Sequence, residues 1–368
     1  MEIFNIPTKN NKIILALGAE SAGNFSIYYK SKIFLSDNFG DLLNEDNFIK
    51  FQKVILNFLE KEKIKPEIII TDLHPLYKTT LLGKNLSKKY NAKHIEAQHH
   101  LAHIFSAIGE DLIKHKKFDI QYPLFGIAMD GTGFGNDDKI WGGEIFECQT
   151  TNNKYQIKRV GHLENQVLLG SELAIREPAR MLISILNKFL DKKELYKYVK
   201  KYYTLNQFEL LYNQLQQNFN CQETSSTGRI LDAVSVLLGF SDNKRAYKHE
   251  ATELLEKNST SPYILKPKIS LTKSLKILNT TYLFEYLTKN LRKDKKRLAA
   301  TAQMYLANGL YRIMDSNNFF FAGGITNNKI ISDYLLAKGG ITNEKIPRGD
   351  AGLSFGQIIF YLSTNPGD

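Results

Sequence analysis

The run KIILALG at Lys12–Gly18 is an uninterrupted apolar segment of the kind that forms a buried strand. Two short strands are expected after it, near Phe25–Tyr29 and Ile33–Ser36. Helices and strands then alternate, with a helix at Glu45–Glu62, a strand at Ile68–Ile70, a helix at Tyr77–Lys89 and a strand at His94–Ala97. Apolar strands alternating with helices predict an open α/β sheet in the first 120 residues.

A second run of the same kind, PLFGIAM at Pro123–Met129, opens the rest of the chain. Strands are expected next at Lys139–Cys148 and Tyr155–His162, and residues of about 172–256 are mainly helical before the α/β pattern returns. Two β-β-β-α beginnings with a late helical insertion predict an α/β, two-lobed actin-like fold of the ASKHA (sugar-kinase and Hsp70) type. The lobes would be residues 1–120 and 121–368. The resemblance to that architecture implies a nucleotide in the cleft between them.

The composition, with 43% hydrophobic and 24% charged residues, is that of an ordinary globular protein. No run approaches about 18 apolar residues, and the N-terminus lacks a basic segment followed by an apolar one, so we expect neither a membrane span nor a secretory signal. The cysteines, Cys148 and Cys221, lie far apart, which excludes a cysteine-rich zinc module and suits a reducing cytoplasm. The net charge of +11 comes largely from scattered lysines, so specific nucleic-acid binding is not expected.

Three of the eight histidines lie within five positions, in QHHLAH at Gln98–His103. If a helix starts here, His99 and His103 project from one face one turn apart, as two imidazoles that share a metal ion must. His100 points about a quarter-turn away. An apolar stripe over residues 101–112 lies nearly opposite the pair, so the pair faces either a cleft with a metal or open solvent.

The segment FGIAMDGTGFG, Phe125–Gly135, is predicted to be an apolar strand that ends in an aspartate and a glycine-rich turn. Asp130 at the strand end can hold a cation. The following backbone N–H groups can approach a phosphate closely. The residues concerned are Gly131, Thr132, Gly133 and Gly135. The alternative is a plain hairpin turn, which needs fewer glycines.

Two later segments add candidates. FFFAGGITNN delivers Gly323, Gly324 and Asn328 to a helix start, where a flat adenine ring can lie against the backbone. The alternative is an ordinary connection in which the asparagine caps the helix. Asp350, in RGDAG just before the last helix, is either an N-cap or a ligand.

Arg176 in REPAR and Arg229 in SSTGRILDA lie in the helical part of the chain. Arginines near hydroxyl groups and Asp232 suit an anionic or carbamoyl-like group held by forked hydrogen bonds, and helix capping or salt bridges are the alternative. His74 in DLHP follows a strand at the edge where open α/β sheets bind ligands, unless it is a structural histidine. The sequence has no nucleophile elbow, P-loop or Rossmann fingerprint.

Together these segments resemble one family, the carbamoyltransferase part of the hydrogenase-maturation factor HypF. This part is related to the TsaD (Kae-like) tRNA-modification proteins and to antibiotic O-carbamoyltransferases. The matching stretches are GAE at 18–20, DLHP at 72–75, QHHLAH at 98–103, DGTGFG at 130–135, WGGE at 141–144, REPAR at 176–180, SSTGRILD at 225–232, GG at 323–324 with Asn328, and DAGLSFGQ at 350–357. They follow the family's order over roughly residues 12–360, and the chain is identified as a member of the superfamily on that basis.

The resemblance implies that the cleft binds an adenine nucleotide, carbamoyl-adenylate. It also implies a divalent cation, with iron, magnesium and zinc as candidates, that would polarise the carbamoyl carbonyl. The implied metal ligands are His99, His103, Asp130 and Asp350. The implied catalytic residues are His74, Arg176 and Arg229. The implied nucleotide contacts are Gly18, Gly131, Thr132, Gly133, Gly135, Asp232, Gly323, Gly324 and Asn328.

The resemblance further implies a HypE-like acceptor protein, whose C-terminal cysteine thiolate receives the carbamoyl group in [NiFe]-hydrogenase maturation. Full-length family members also carry acylphosphatase-like, zinc-binding and YrdC-like parts. This sequence contains none of them, so a separate YrdC-like adenylating protein is expected to supply the donor.

The sequence departs from the family pattern near the expected nucleotide site. Ala22 stands where a lysine is usual, and Lys248 and His249 stand where an acid and a glycine are usual. These changes keep two alternatives open. One is TsaD-like threonylcarbamoyl transfer to tRNA, and the other is a non-catalytic assembly partner that binds a nucleotide or a metal.

Overall fold

The computed structural model of the protein describes residues 1–8, 10–116, 120, 122–151, 154–314 and 316–365. The strands are β1 (Glu2–Asn5), β2 (Ile14–Ala16), β3 (Ser26–Tyr29), β4 (Lys32–Leu35), β5 (Ile68–Asp72), β6 (Lys93–Ala97), β7 (Leu124–Phe134), β8 (Ile140–Thr151), β9 (Lys154–Leu163), β10 (Gln166–Leu169), β11 (Cys221–Thr224), β12 (Ile269–Thr272), β13 (Leu275–Leu278) and β14 (Phe319–Ala322). The helices are α1 (Glu45–Lys61), α2 (Lys78–Tyr90), α3 (His99–His115), α4 (Glu172–Arg176), α5 (Pro178–Leu186), α6 (Lys192–Val199), α7 (Leu205–Gln216), α8 (Thr227–Leu238), α9 (Glu250–Lys257), α10 (Thr280–Lys289), α11 (Lys295–Met314), α12 (Lys329–Ala337) and α13 (Leu353–Thr364).

The first lobe is built on a six-stranded sheet with the order β1-β4-β3-β2-β5-β6. The strands from β1 to β2 are antiparallel neighbours, and β2, β5 and β6 run parallel. The predicted run Ile14–Ala16 is paired with Ile68–Ile70 in the middle of the sheet and is fully buried. Parallel strands that are covered on both faces need such continuous apolar runs.

The second lobe has an eight-stranded sheet in which six strands follow the order β10-β11-β8-β9-β13-β12. Strand β7 pairs antiparallel with β8 and parallel with β14. Helices α5, α8 and α11 share one apolar core with strands of this sheet. The predicted helical stretch at 172–256 corresponds to α4–α9 and is interrupted by strand β11.

Two helices lie between the sheets. Helix α13 packs on β2–β5 of the first sheet and against α3, which in turn packs on β7 and β14 of the second. The helices touch backbone to backbone, because a Cβ atom on Gly356 would lie 1.8 Å from the carbonyl oxygen of Ala102. The two lobes therefore meet through a pair of closely packed helices.

The α/β, two-lobed architecture predicted from the sequence is confirmed, and one local prediction is wrong. The segment after Asp130 is not a turn, because β7 continues to Phe134 with a register irregularity between Met129 and Gly133. The hairpin closes later, where the Gly135 N–H donates to the carbonyl oxygen of Lys139. A bulge lets the strand absorb an extra segment without ending its pairing with β8.

The division into lobes 1–120 and 121–368 stays a prediction. Residue 121 lies outside the described residues, as do residues 366–368. Helix α13, which that division assigns to the second lobe, packs on the first sheet. Among the helices that the structure describes, none is both long enough and apolar enough to cross a membrane.

Candidate metal centre and cleft

A cleft with a volume of about 610 Å³ brings residues of both lobes together. The first lobe contributes Ser21 and Ala22, and the second lobe contributes most of the remaining walls. The predicted site residues in its lining are Asp130, Gly131, Thr132, Arg229, Gly324, Asn328 and Asp350. Seven predicted site residues from four separate stretches of the sequence thus share one cavity.

The histidines are fixed by the start of α3. Gln98 caps the helix, and its side-chain oxygen accepts hydrogen bonds from the backbone N–H groups of His100 (2.7 Å) and Leu101 (3.0 Å). Strand β6 ends one residue earlier, so the first turn of α3 lies at the sheet edge where ligands bind. His99 and His103 are 1% and 0% exposed, which excludes the alternative that they face open solvent.

The structure brings the four predicted metal ligands together. The Nε2 atoms of His99 and His103 are 3.1 Å apart. The Asp130 Oδ2 atom lies 3.3 and 3.8 Å from them, and the Asp350 Oδ1 atom lies 3.6 and 3.5 Å from them. Ligand atoms about 2.0–2.1 Å from one tetrahedral cation are about 3.3 Å apart. The four atoms, all within 4.8 Å of one another, could therefore share an ion.

Each carboxylate is oriented through its second oxygen. Gly324 donates its N–H to Asp130 Oδ1 at 3.2 Å, and the Ser21 hydroxyl donates to Asp350 Oδ2. The remaining oxygen of each aspartate is left to face the imidazoles. Asp350 makes no helix-capping bond, so of the two roles left open by the sequence the structure favours that of a ligand.

Asp72 is a further residue of the centre that the sequence reasoning did not assign. Its Oδ2 atom lies 2.7 Å from His99 Nδ1, and both side chains are buried. A carboxylate on Nδ1 holds the proton there and leaves Nε2 free to bind a metal. The available signal was its position at the end of β5, one strand away from the histidines.

The electrostatics suit a divalent cation. Burial alone would lower the pKa of His99 and His103. Asp72, Asp130 and Asp350 outweigh burial at His99, and Asp130 and Asp350 outweigh it at His103, so the pKa of both imidazoles is raised. Burial would raise the pKa of Asp130 and Asp350, but the bonds from the histidines lower it. The four ligands carry a charge of −2 when both imidazoles are neutral, so a divalent ion can replace the protons that the carboxylates attract.

His100 does not face the cluster, as the helix geometry predicted. Its Nδ1 atom lies 3.1 Å from the side-chain nitrogen of Gln98, and its ring packs near Trp141. Burial and the neighbouring His99 hold the pKa of His100 well below its usual value. His100 is therefore a neutral packing residue.

The glycines at the end of β7 and just after it have different roles. Gly131 lines the cleft, and a Cβ atom on it would meet Arg229 Nη2 at 3.5 Å. A Cβ atom on Gly133 would lie 2.5 Å from the His100 ring, and one on Gly135 would lie 2.3 Å from the Trp141 indole. Space for these rings explains Gly133 and Gly135, and their predicted contact with a phosphate stays a prediction.

The other predicted glycines serve close backbone approaches. Gly18 has φ +61° and donates its N–H to the side chain of Gln357 at 3.0 Å. Gly323 has φ +104°, and a Cβ atom there would lie 2.4 Å from the carbonyl oxygen of Met129. Asn328 caps α12 by accepting from the Ile331 N–H at 3.1 Å and also lines the cleft, and its contact with an adenine ring stays a prediction.

Arg229 and Asp232 belong to a buried charge cluster on α8. Asp232 Oδ2 lies 3.1 Å from Arg229 Nη2 and also accepts from Arg245. The Arg229 side chain is buried, and its Nε and Nη1 atoms have no hydrogen-bond partner among the described residues. Two arginines on one aspartate leave a net positive charge beside Gly131.

The two other predicted catalytic residues lie outside the cleft lining. Arg176 is exposed on α4, next to Ile175, which does line the cleft. His74 stacks on Tyr77 with the ring centroids 4.1 Å apart, and its backbone N–H donates to Asp72 Oδ1 at 2.9 Å. Burial lowers the pKa of His74. The Asp72 carboxylate bonds to both His74 and His99, so it connects His74 to the histidine cluster.

The three departures from the family pattern share the cleft. Ala22 lines it from the first lobe, and Lys248 and His249 line it from the segment before α9. Burial lowers the pKa of His249, and Lys248 is exposed. Ala22 provides no positive side chain on its wall of the cleft, whereas Lys248 provides one on the wall formed by the segment before α9.

Comparison with known proteins gives the family. Residues 9–110 match the family described as "HypF Kae1-like domain", and residues 126–357 match "Carbamoyltransferase, Kae1-like Domain, second subdomain". A curated relative, the probable carbamoyltransferase HypF of Methanocaldococcus jannaschii, is 34% identical over 99% of this chain and 48% of its own length. Carbamoyltransferase HypF2 of Cupriavidus necator is 29% identical over 66% of this chain and 28% of its own.

Solved structures agree in fold. HypF of T. kodakarensis covers 99% of this chain with a TM-score of 0.83 and 26% identity, and this chain covers 50% of it. Full-length HypF in a phosphate- and nucleotide-bound form covers all of this chain with a TM-score of 0.87 and 24% identity, and 48% of that chain is covered. The chain spans about half the length of these relatives, and it belongs to the HypF carbamoyltransferase family, whose Kae1-like domain it matches over nearly its whole length.

Proposed function

We propose that the protein is a metal-dependent carbamoyltransferase of the HypF type. The observation that carries the proposal is the buried cluster of His99, His103, Asp130 and Asp350 at the cleft. These four residues would hold the divalent cation. When bound, the cation supplies a Lewis acid that polarises the carbamoyl carbonyl. Its identity among iron, magnesium and zinc is to be measured.

The donor would be carbamoyl-adenylate, supplied by a YrdC-like adenylating protein. Support comes from the cleft volume of about 610 Å³ and from the backbone that Gly131 and Gly324 expose to it. A relative of this fold was crystallised in a phosphate- and nucleotide-bound form. We propose Arg229 as the group that stabilises negative charge on the donor, because its guanidinium lies in the cleft wall with two nitrogens unpartnered by described residues.

The acceptor would be the C-terminal cysteine thiolate of a HypE-like protein, in [NiFe]-hydrogenase maturation. The sulfur attacks the carbamoyl carbon, a C–S bond forms, and the C–O bond to the adenylate phosphate breaks. AMP leaves with the electron pair of that bond, and the acceptor keeps a thiocarbamate. We propose that His74 and Arg176 assist, His74 next to Asp72 and Arg176 beside the cleft-lining Ile175.

The test is a transfer reaction with metal-loaded protein, carbamoyl-adenylate and a cysteine-ended acceptor. We expect the acceptor to gain the mass of one carbamoyl group, and Asp350→Ala to abolish the gain. The matched control is Asp333→Ala, which removes an aspartate outside the cleft. A folded, metal-loaded protein that transfers nothing would contradict the proposal. Threonylcarbamoyl transfer to tRNA would favour the TsaD-like alternative instead.

A further inference from the structure

A glutamate on the histidine helix holds the loop that carries Asp350. The two oxygens of Glu110 accept hydrogen bonds from the backbone N–H groups of three consecutive residues, Glu344 (3.0 Å), Lys345 (2.9 and 3.1 Å) and Ile346 (2.8 Å). A carboxylate that accepts several backbone N–H bonds fixes the backbone more tightly than a neutral acceptor does. This contact joins residues more than 230 positions apart in the chain.

The geometry of α3 explains why the contact matters for the site. His99, His103, Ser106 and Glu110 follow one another at intervals of four, three and four, so they lie on one face of the helix. The loop runs along this face. Asn343 donates to Ser106 Oγ at 3.0 Å, the next three residues bind Glu110, and Asp350 reaches the histidines.

Besides these hydrogen bonds, Ile346 is buried in the apolar core that α3 shares with its neighbours. The side chains of Lys114 and Glu344 form a surface pair at 3.5 Å, with 63% and 70% exposure. Such an exposed pair contributes little. Pro347, Arg348 and Gly349 then complete the path from Ile346 to Asp350, and Arg348 is bonded to Asn343, Thr326 and Ser332 rather than to the helix.

We propose that Glu110 is a positioning residue for the metal centre: by holding residues 344–346 on α3, it places the Asp350 carboxylate against His99 and His103. The inference rests on the proposed metal centre. Helix α3 then carries two of the four ligands and, through the loop, helps to place a third, Asp350, which also accepts hydrogen bonds from Ser21 and Asn24. Only Asp130 reaches the centre independently, from β7.

The experiment measures Co²⁺ binding by the full chain, since the visible absorption of Co²⁺ reports the ligand set. Glu110→Ala should weaken the affinity at least about tenfold, as removal of an outer-shell partner does, and should change the spectrum toward that of Asp350→Ala. Glu110→Gln, which keeps one acceptor oxygen, should fall between Glu110→Ala and wild type. Lys114→Ala is the matched control and should bind as wild type does.

Two further readouts separate positioning from folding. The double variant Glu110→Ala/Asp350→Ala should bind no more weakly than Asp350→Ala, because Glu110 acts through Asp350. Amide hydrogen exchange of residues 344–346 should speed up in Glu110→Ala without a metal. Additive losses in the double variant, or a wild-type affinity in Glu110→Ala, would overturn the role of Glu110 alone. A wild-type protein that binds no Co²⁺ would overturn the metal centre and this role with it.

Discussion

Replacing Asp72 by asparagine tests the metal centre without touching a ligand. The Asp72 carboxylate accepts two hydrogen bonds, one from His99 Nδ1 at 2.7 Å and one from the His74 backbone N–H at 2.9 Å. Asparagine has one acceptor oxygen and one donor nitrogen. In either amide orientation one of the two bonds is lost. If the oxygen keeps His74, the amide N–H faces Nδ1 and drives the His99 proton to Nε2, where the cation should bind.

The size of the effect follows from the burial of the pair. Asp72 is 0% exposed, so water cannot replace the lost bond. Loss of an outer-shell carboxylate typically weakens metal affinity 10- to 100-fold, which is about 1.4–2.7 kcal/mol. We expect the metal affinity of Asp72→Asn to fall in this range, as measured by competition titration with a chromophoric chelator. Asp111→Asn, which changes an aspartate on α3 that is not among the candidate ligands, should bind the metal as wild type does.

A pH series sharpens the test. The weakening should persist at every pH at which the wild type binds metal, because asparagine does not titrate. An affinity within about threefold of wild type would refute the argument that Asp72 selects the His99 tautomer.

Three other outcomes are expected. Gly133→Ala should lower both the metal affinity in a chelator titration and the unfolding temperature in a thermal melt, because its Cβ would lie 2.7 Å from the His99 ring. Gly131→Ala, whose Cβ would have its nearest contact at 3.5 Å, should leave both quantities unchanged. In calorimetry, Lys248→Ala should weaken ATP binding up to about fivefold, the range of an exposed ion pair, and should weaken AMP binding less. An equal loss of ATP binding in Lys244→Ala, which changes a lysine outside the cleft lining, would contradict a local contact between Lys248 and the nucleotide. In the metal-free protein, the raised pKa values of His99 and His103 contribute stability below about pH 6.5, and this stability is lost as the pH rises. The lowered pKa values of Asp130 and Asp350 contribute stability above about pH 3.8, and this stability is lost as the pH falls. The unfolding temperature in EDTA should therefore decline from mildly acidic toward alkaline pH, and a flat profile over pH 6–9 would contradict this.

Periodicity and strand order were sufficient for the architecture. The apolar runs at 12–18 and 123–129 each form central, buried strands, because such runs have no other stable place in an α/β protein. The course of β7 beyond Asp130 was missed because glycines normally indicate a turn. Here they make room for the rings of His100 and Trp141, which lie beside the strand only in the folded chain.

The candidate site was predictable where its residues lie at the ends of regular elements. His99 and His103 share a helix, so their spacing alone brought them together. Asp72 and Glu110 were not predicted, because their partners are a ring nitrogen on another element and backbone N–H groups of a distant loop. Local patterns carry no information about such long-range hydrogen bonds.

The packing of α13 on the first sheet has a consequence for the order of folding. Gly18 and Gln357, which are joined by a hydrogen bond, lie 339 residues apart, and α13 covers the inner face of the first sheet. Closing so large a loop requires most of the chain to be organised first. The ligand set cannot form early in synthesis, so the cation would enter a nearly finished fold instead of nucleating one, unlike the metal of a zinc finger.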